Sequence, residues 1–191
     1  MRVIGGKAKG REIKVPRLAY GRRIRPLTDG TREALFNILQ PYIAGKDFLD
    51  LFAGTGAVGI EALSRGARVA MFVEVDKRVA QSLRENLRTT DLDEGAEVYT
   101  VTTDRAVKLF HRNGAKFDII FLGPPYPTDL AEKTLTLLSQ YPIFAPGAVI
   151  IAEHPKRRDL PNAYGGLVLD RQKQYGDTML SFYNWRGTEK T

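Results

Sequence analysis

Residues 48–63, FLDLFAGTGAVGIEAL, join an apolar strand to an apolar helix through a glycine loop. The strand is DFLDLF (47–52). The helix begins near Val58 and stops at Gly66, where a glycine suits the left-handed turn that ends a helix. Glycines in such a loop let backbone approach a ligand closely, and the helix N-terminus offers unpaired N–H groups. Gly54, Gly56 and Gly59 have the spacing G-x-G-x-x-G. In a strand–helix–strand unit that spacing points to a nucleoside-containing cofactor, with an acidic residue about 20 positions on for the ribose. Glu74 ends the next strand, RVAMFVEV, and fits that role because one carboxylate accepts from two vicinal hydroxyls.

Outward from this unit, strand and helix keep alternating. KRVAQSLRENLRTT (77–90) reads as a helix capped by Asp76, AEVYTV (96–101) as a short strand, and DRAVKLFHRN (104–113) as a helix with Asp104 at its N-cap. FDIIFL (117–122) has the near-continuous apolar pattern of a strand covered on both faces. A helix, DLAEKTLTLLSQ (129–140), and a strand, GAVIIAE (147–153), follow. Two last strands, LVLDRQKQYG and TMLSFYNW, meet at Gly176-Asp177 as an antiparallel pair. The expectation is an α/β fold: a mostly parallel seven-stranded sheet with helices on both faces and a C-terminal antiparallel hairpin. Ahead of it, residues 2–4 and 12–15 flank Gly5, Gly6 and Gly10 as a small β-hairpin. A Pro- and Gly-punctuated loop then leads to TREALFNILQPYI, a helix capped by Thr28 or Asp29 and ending before Pro41. The chain divides into a basic extension (1–30), a main domain (31–186) and a frayed tail (187–191).

The 191 residues suit one domain with a substantial core. No apolar run approaches the ~18 residues that span a bilayer. The chain has no Cys and only His111 and His154, which argues against disulfides, thiolate chemistry and a His-rich metal site and fits a cytosolic setting. Residues 1–40 carry ten Lys or Arg against three acids, an excess equal to the +7 net charge of the whole chain. Such asymmetry describes a polyanion-binding face attached to an electrically neutral domain.

Asp50, beside the glycine loop, disfavours a pyrophosphate and with it a nicotinamide dinucleotide. It suits a cationic nucleoside, and S-adenosylmethionine carries a sulfonium, an α-ammonium and a ribose. The pattern D-x-F-x-G-x-G, with Asp50, Phe52, Gly54, Thr55 and Gly56, resembles the first motif of class I methyltransferases. That resemblance implies a Rossmann-like fold, Glu74 on the ribose hydroxyls and Asp104 near the adenine.

FDIIFL runs directly into Gly123-Pro124-Pro125-Tyr126. In methyltransferases that modify exocyclic amines this strand ends in Asp or Asn, two prolines and an aromatic residue. An aryl amine is a poor nucleophile because its lone pair is delocalised. Acceptors that hold its N–H hydrogens let the nitrogen become pyramidal, and the aromatic ring stacks on an extruded base. Orientation and electrostatics supply most of such catalysis. With RVIGGKAKGREIKVP, RPLTDGTREALFNIL, VEVDKRVAQSLRENL and YGDTMLSFY, the chain resembles over nearly its whole length the bacterial methyltransferases of guanine N2 in 16S ribosomal RNA, small-subunit methyltransferase D type. The resemblance implies S-adenosylmethionine as cofactor and small-subunit ribosomal RNA or an assembling particle as partner; the localisation expected is cytoplasmic, and a monomer is the default, since the sequence does not encode oligomeric state in a readable way. It also implies an RNA-facing set of Arg2, Lys7, Lys9, Arg11, Arg22, Arg23, Arg25 and Arg32, holding phosphates rather than choosing bases. Gly123 departs from the family pattern, because the side-chain acceptor is missing. That leaves two readings: an enzyme, or an RNA-binding assembly factor with little catalysis. Glu153, at the end of its strand, suits a structural hydrogen bond or a site role equally.

Overall fold

The computed structural model describes residues 1–16, 26–126 and 128–187. Its strands are β1 (Asp47–Asp50), β2 (Val69–Val73), β3 (Ala96–Tyr99), β4 (Phe117–Leu122), β5 (Phe144–Pro155), β6 (Ala163–Tyr164), β7 (Leu167–Tyr175) and β8 (Thr178–Trp185). They form one sheet in the order β3-β2-β1-β4-β5-β8-β7-β6, parallel from β3 to β5 and antiparallel beyond. The helices are α1 (Asp29–Leu39), α2 (Ala57–Ser64), α3 (Lys77–Thr89), α4 (Thr103–Arg112) and α5 (Leu130–Gln140). Alternating residues of the central strands feed two cores. Phe48, Ile119, Phe121 and Ile151 pack with α1, α2 and α3 residues, while Leu49, Ile120 and Ile150 pack with α4 and α5 residues. Covering both faces explains why these strands read as continuous apolar runs.

The sheet has eight strands rather than the seven expected. The extra strand, β6, is two residues long and pairs with β7 around Gly165-Gly166, too short to leave a period-two pattern. Strand β5 also starts earlier, at Phe144. Its register with β4 jumps from Phe117↔Phe144 to Ile119↔Val149, which accommodates Pro146 and Gly147. The turn at Gly176-Asp177 is as read, with Tyr175 opposite Thr178 and Gly176 at φ 59°.

Caps follow local chemistry. Thr28 caps α1 and Asp76 caps α3. Asp104 does not cap α4. Thr102 does, accepting from the Arg105 N–H, and Asp104 lies in the first turn paired with Lys108 at 2.9 Å. The N-terminal hairpin shrinks to one bridge, Arg2↔Glu12. Its arms are still joined by backbone bonds, Val3 N–H to the Arg11 carbonyl, Gly10 N–H to Val3 and Ile13 N–H to Met1, and it bonds outward as well: Ile4 and Gly5 donate to the Glu61 carboxylate at 2.8 Å, Ala8 to Ser64 Oγ, and Lys14 to Asn86 Oδ1. Val3, Ala8 and Ile13 are buried in the α2–α3 core, so residues 1–16 are docked on the main sheet layer. Among the described residues no helix is long and apolar enough to cross a membrane.

Candidate active site

From β1 the chain steps outward to β2 and β3, then crosses back to β4 on the other flank of β1. A crevice forms at the carboxyl ends of strands where the direction of winding switches. Here it is a cleft of about 1440 Å³ lined by the ends of β1, β2, β4 and β5. Sites for one small ligand run to roughly 300–1,000 Å³, so this one has room for a cofactor and a second ligand.

The glycine loop forms one wall. Gly54 and Gly56 take left-handed φ values of 54° and 81°, and Gly56 is the N-cap of α2. A Cβ at Gly56 would lie 2.0 Å from Leu83, and one at Gly59 would lie 2.3 Å from the Phe72 ring. The loop turn and the close seating of α2 on the sheet therefore both require glycine. Gly56 sits beneath the cleft, whereas Gly54 and Thr55 line it. Glu74 accepts from Gly54 N–H at 3.0 Å and from Asp76 N–H at 2.8 Å. Those two bonds orient its carboxylate and leave lone pairs for a ligand's hydroxyls. Burial raises the Glu74 carboxyl above its ordinary range, against the pull of the Asp76 and Gly54 N–H groups.

Asp50 ends β1 and is 1% exposed. Its Oδ1 has no hydrogen-bond partner among the described residues. Burial lifts its carboxyl to about 7, the charges of Glu74 and Glu153 add to the rise, and the N–H groups of Phe52 and Gly59 oppose it. A buried carboxyl with an unmatched oxygen, in a cleft rich in acids, can be balanced by a proton or by a bound cation. Phe52 and Asp104 line the same cleft, and so do Val75, Val79, Val101 and Thr103. Val75 is 63% exposed, an apolar surface beside the Glu74 carboxylate that suits the face of a base. The sequence reading missed Val75, Val101 and Thr103. Thr103 Oγ1 donates to the Leu51 carbonyl, a tie between α4 and the β1 end that no local pattern announces.

The opposite wall is the turn after β4. Gly123, Pro124, Pro125 and Tyr126 all line the cleft. The prolines offer no N–H, so they leave the ladder, and their rings fix φ at this turn. The half-buried Tyr126 donates its hydroxyl to Glu153 Oε1 at 3.1 Å. Glu153 lines the cleft and is also held by a hydrogen bond, so both roles expected of it remain compatible with its place. Arg158 donates to the Thr128 carbonyl at 2.7 Å and ties the segment after β5 to this turn.

The basic residues divide. Arg2, Lys7, Lys9 and Arg11 are exposed and lie outside the cleft lining, with Arg11 paired to Asp91 at 3.0 Å. Arg32 is fully buried, which corrects its place in the RNA-facing set. Its guanidinium donates to the Arg2 carbonyl and Asp29 and lies 3.7 Å from the buried Glu61. Arg22, Arg23 and Arg25 lie outside the described residues.

A doubly wound sheet whose switch point carries an acid-led glycine loop on one wall and a Pro-Pro-Tyr turn on the other is that of a Rossmann-like methyltransferase. The chain belongs to the family described as conserved hypothetical protein 95, which it matches over residues 1–184. It is 40% identical over 187 residues to YlbH of Bacillus subtilis strain 168, covering 98% of this chain and 100% of that one. It is 36% identical over 183 residues to ribosomal RNA small subunit methyltransferase D of Escherichia coli K12, covering 96% of this chain and 89% of that protein. The solved structure of Escherichia coli YhhF superposes with a TM-score of 0.84 at 35% identity, over 97% of each chain.

Proposed function

We propose that this protein methylates the exocyclic N2 amine of a guanine in 16S ribosomal RNA, using S-adenosylmethionine. The observation that carries the reading is the single cleft that joins Asp50, the glycine loop and Glu74 to the Pro-Pro-Tyr turn. The residues present fit the cofactor: Asp50 offers a buried carboxylate oxygen to a cation, Glu74 offers oriented acceptors to a ribose, and Val75 offers an apolar flank to adenine. S-adenosylmethionine, when bound, supplies an electrophilic methyl group on a positively charged sulfur.

The chain's own residues bring the nucleophile to it. Tyr126 stacks on the extruded base, and the carbonyls of the Pro-Pro turn accept from its amine. With the cofactor bound, the lone pair of the amine nitrogen aimed by this turn would form the new N–C bond as the methyl's bond to sulfur breaks and that pair stays on sulfur. The nitrogen then sheds one proton to a neighbouring acceptor and solvent. Exposed Arg2, Lys7, Lys9 and Arg11 hold RNA phosphates, which gives affinity and orientation without base choice. The protein acts in the cytoplasm, where ribosomal particles assemble, and as a monomer. The name of the Escherichia coli relative supports an enzyme over an assembly factor without catalysis.

The test is incubation of the protein with labelled S-adenosylmethionine and small-subunit particles from cells lacking it. The expected result is one methyl group per particle, on 16S RNA. No transfer to RNA would overturn the reading.

A further inference from the structure

Gly123 stands where amine-methylating relatives of this architecture carry an acceptor side chain, and the space beside it is filled. A Cβ built at Gly123 would lie 2.8 Å from Glu153 Oε2 and 2.9 Å from the Phe121 ring. The register explains the closeness. Leu122 pairs with Ala152 in the parallel β4–β5 ladder, so residues 123 and 153 are the next neighbours at the two strand ends. Leu122 and Ala152 point into the core, and the alternation of the pleat turns the following pair to the other side. Glu153 lines the cleft together with Pro124, Pro125 and Tyr126.

The geometry points to Glu153 as the residue that receives the target amine, its carboxylate occupying the position from which a side chain at 123 would otherwise act. This rests on the methyltransferase reading above and extends it. The Tyr126 hydroxyl donates to Glu153 Oε1, and a carboxylate accepts at about four sites, so it can receive several donors at once. The same contact places the acceptor and the stacking ring as one unit. The Glu153 charge reaches deeper into the cleft as well, since it helps raise the Asp50 carboxyl. A further consequence concerns Gly123 itself. Adding Asp there alone sets a Cβ against Glu153 Oε2 and a third acid beside Asp50 and Glu153, so it displaces an acceptor rather than adding one.

The experiment compares the unmodified protein with Glu153→Ala, Gly123→Asp, the double variant and Tyr126→Phe. Methyl transfer to undermethylated small-subunit particles is one readout. The other is binding, without the methyl donor, of a 16S RNA fragment bearing guanosine or inosine at the methylated position. Inosine lacks the 2-amine. Glu153→Ala is expected to slow transfer by about 10²–10³-fold, the usual loss for one oriented active-site partner. Affinity for S-adenosylmethionine by calorimetry should be retained, which also shows that the variant is folded. The unmodified protein should prefer guanosine to inosine by roughly 5- to 100-fold, and Glu153→Ala should lose that preference. Gly123→Asp alone should give no gain, while Gly123→Asp with Glu153→Ala should recover about tenfold or more over Glu153→Ala, because the neighbours couple. Tyr126→Phe keeps the ring and should cost less than Glu153→Ala. Unchanged transfer and unchanged base preference in Glu153→Ala would overturn the inference. So would equal losses in Tyr126→Phe and Glu153→Ala, which would make Glu153 a support for the tyrosine. Absence of transfer by the unmodified protein would overturn the functional reading itself, whatever the variants do.

Discussion

At Asp50, the carboxylate that a cationic ligand requires is one that burial disfavours, with the carboxyl lifted from 3.8 to about 7. A group whose folded-state value lies above its unfolded one contributes stability that is fully present below the unfolded value and lost as pH rises through the folded one. The window here runs from 3.8 to about 7. In the cofactor-free protein, Asp50→Asn should therefore raise the thermal midpoint at pH 8. Its upper bound is on the order of 4 kcal/mol, and the gain should narrow toward the acid end of that window. The same variant should weaken S-adenosylmethionine binding and flatten its pH dependence. In the unmodified protein, affinity should fall as pH drops below about 7, measured by calorimetry. The acid was legible in the sequence because it adjoins the glycine loop in the chain. The closeness of Glu153 to Gly123 was not, because it depends on how two strands thirty residues apart are registered.

At the scale of elements, α2 is where sequence patterning says least and the structure most. All eight of its residues are buried, so its apolar run has no polar face to give direction. Glu61 within it is fully buried, accepts from the N–H groups of Ile4 and Gly5, and pairs with Arg65 at 2.8 Å and Arg32 at 3.7 Å. It therefore fastens the N-terminal segment and α1 to the sheet layer. Glu61→Ala should cost about 3–5 kcal/mol in a denaturant titration, because it strands buried cations and two backbone donors. Arg32 explains the misreading of this region. A charge excess counted along the chain does not distinguish a cation turned to solvent from one paired in the interior. Conversely, the caps Thr28 and Asp76 and the turn at Gly176-Asp177 were legible because each depends on residues adjacent in sequence.

At the scale of the whole molecule, the sheet sets the walls of the cleft and the docked N-terminal segment adds the charge. Exposed Arg2, Lys7, Lys9 and Arg11 belong to a segment packed on α2 and α3, so under the proposed function phosphates bound there would lie at a fixed place relative to the site. Replacing Lys7 and Lys9 by Glu should weaken binding of 16S RNA in filter or fluorescence titrations. The salt slope should become shallower by about 0.7–0.9 for each phosphate that is no longer neutralised, with the guanosine preference intact. The parallel order of β1 to β5 followed from strand–helix alternation, while the order of winding that creates the switch point was beyond what alternation alone specifies.

The most direct test of the central claim is mass-spectrometric mapping of methylated nucleosides in 16S RNA from cells with and without this protein. The account predicts that one N2-methylguanosine disappears on deletion and returns when the unmodified protein is restored, and that the Asp50→Asn variant restores it less completely. Identical methylation maps with and without the protein would contradict it.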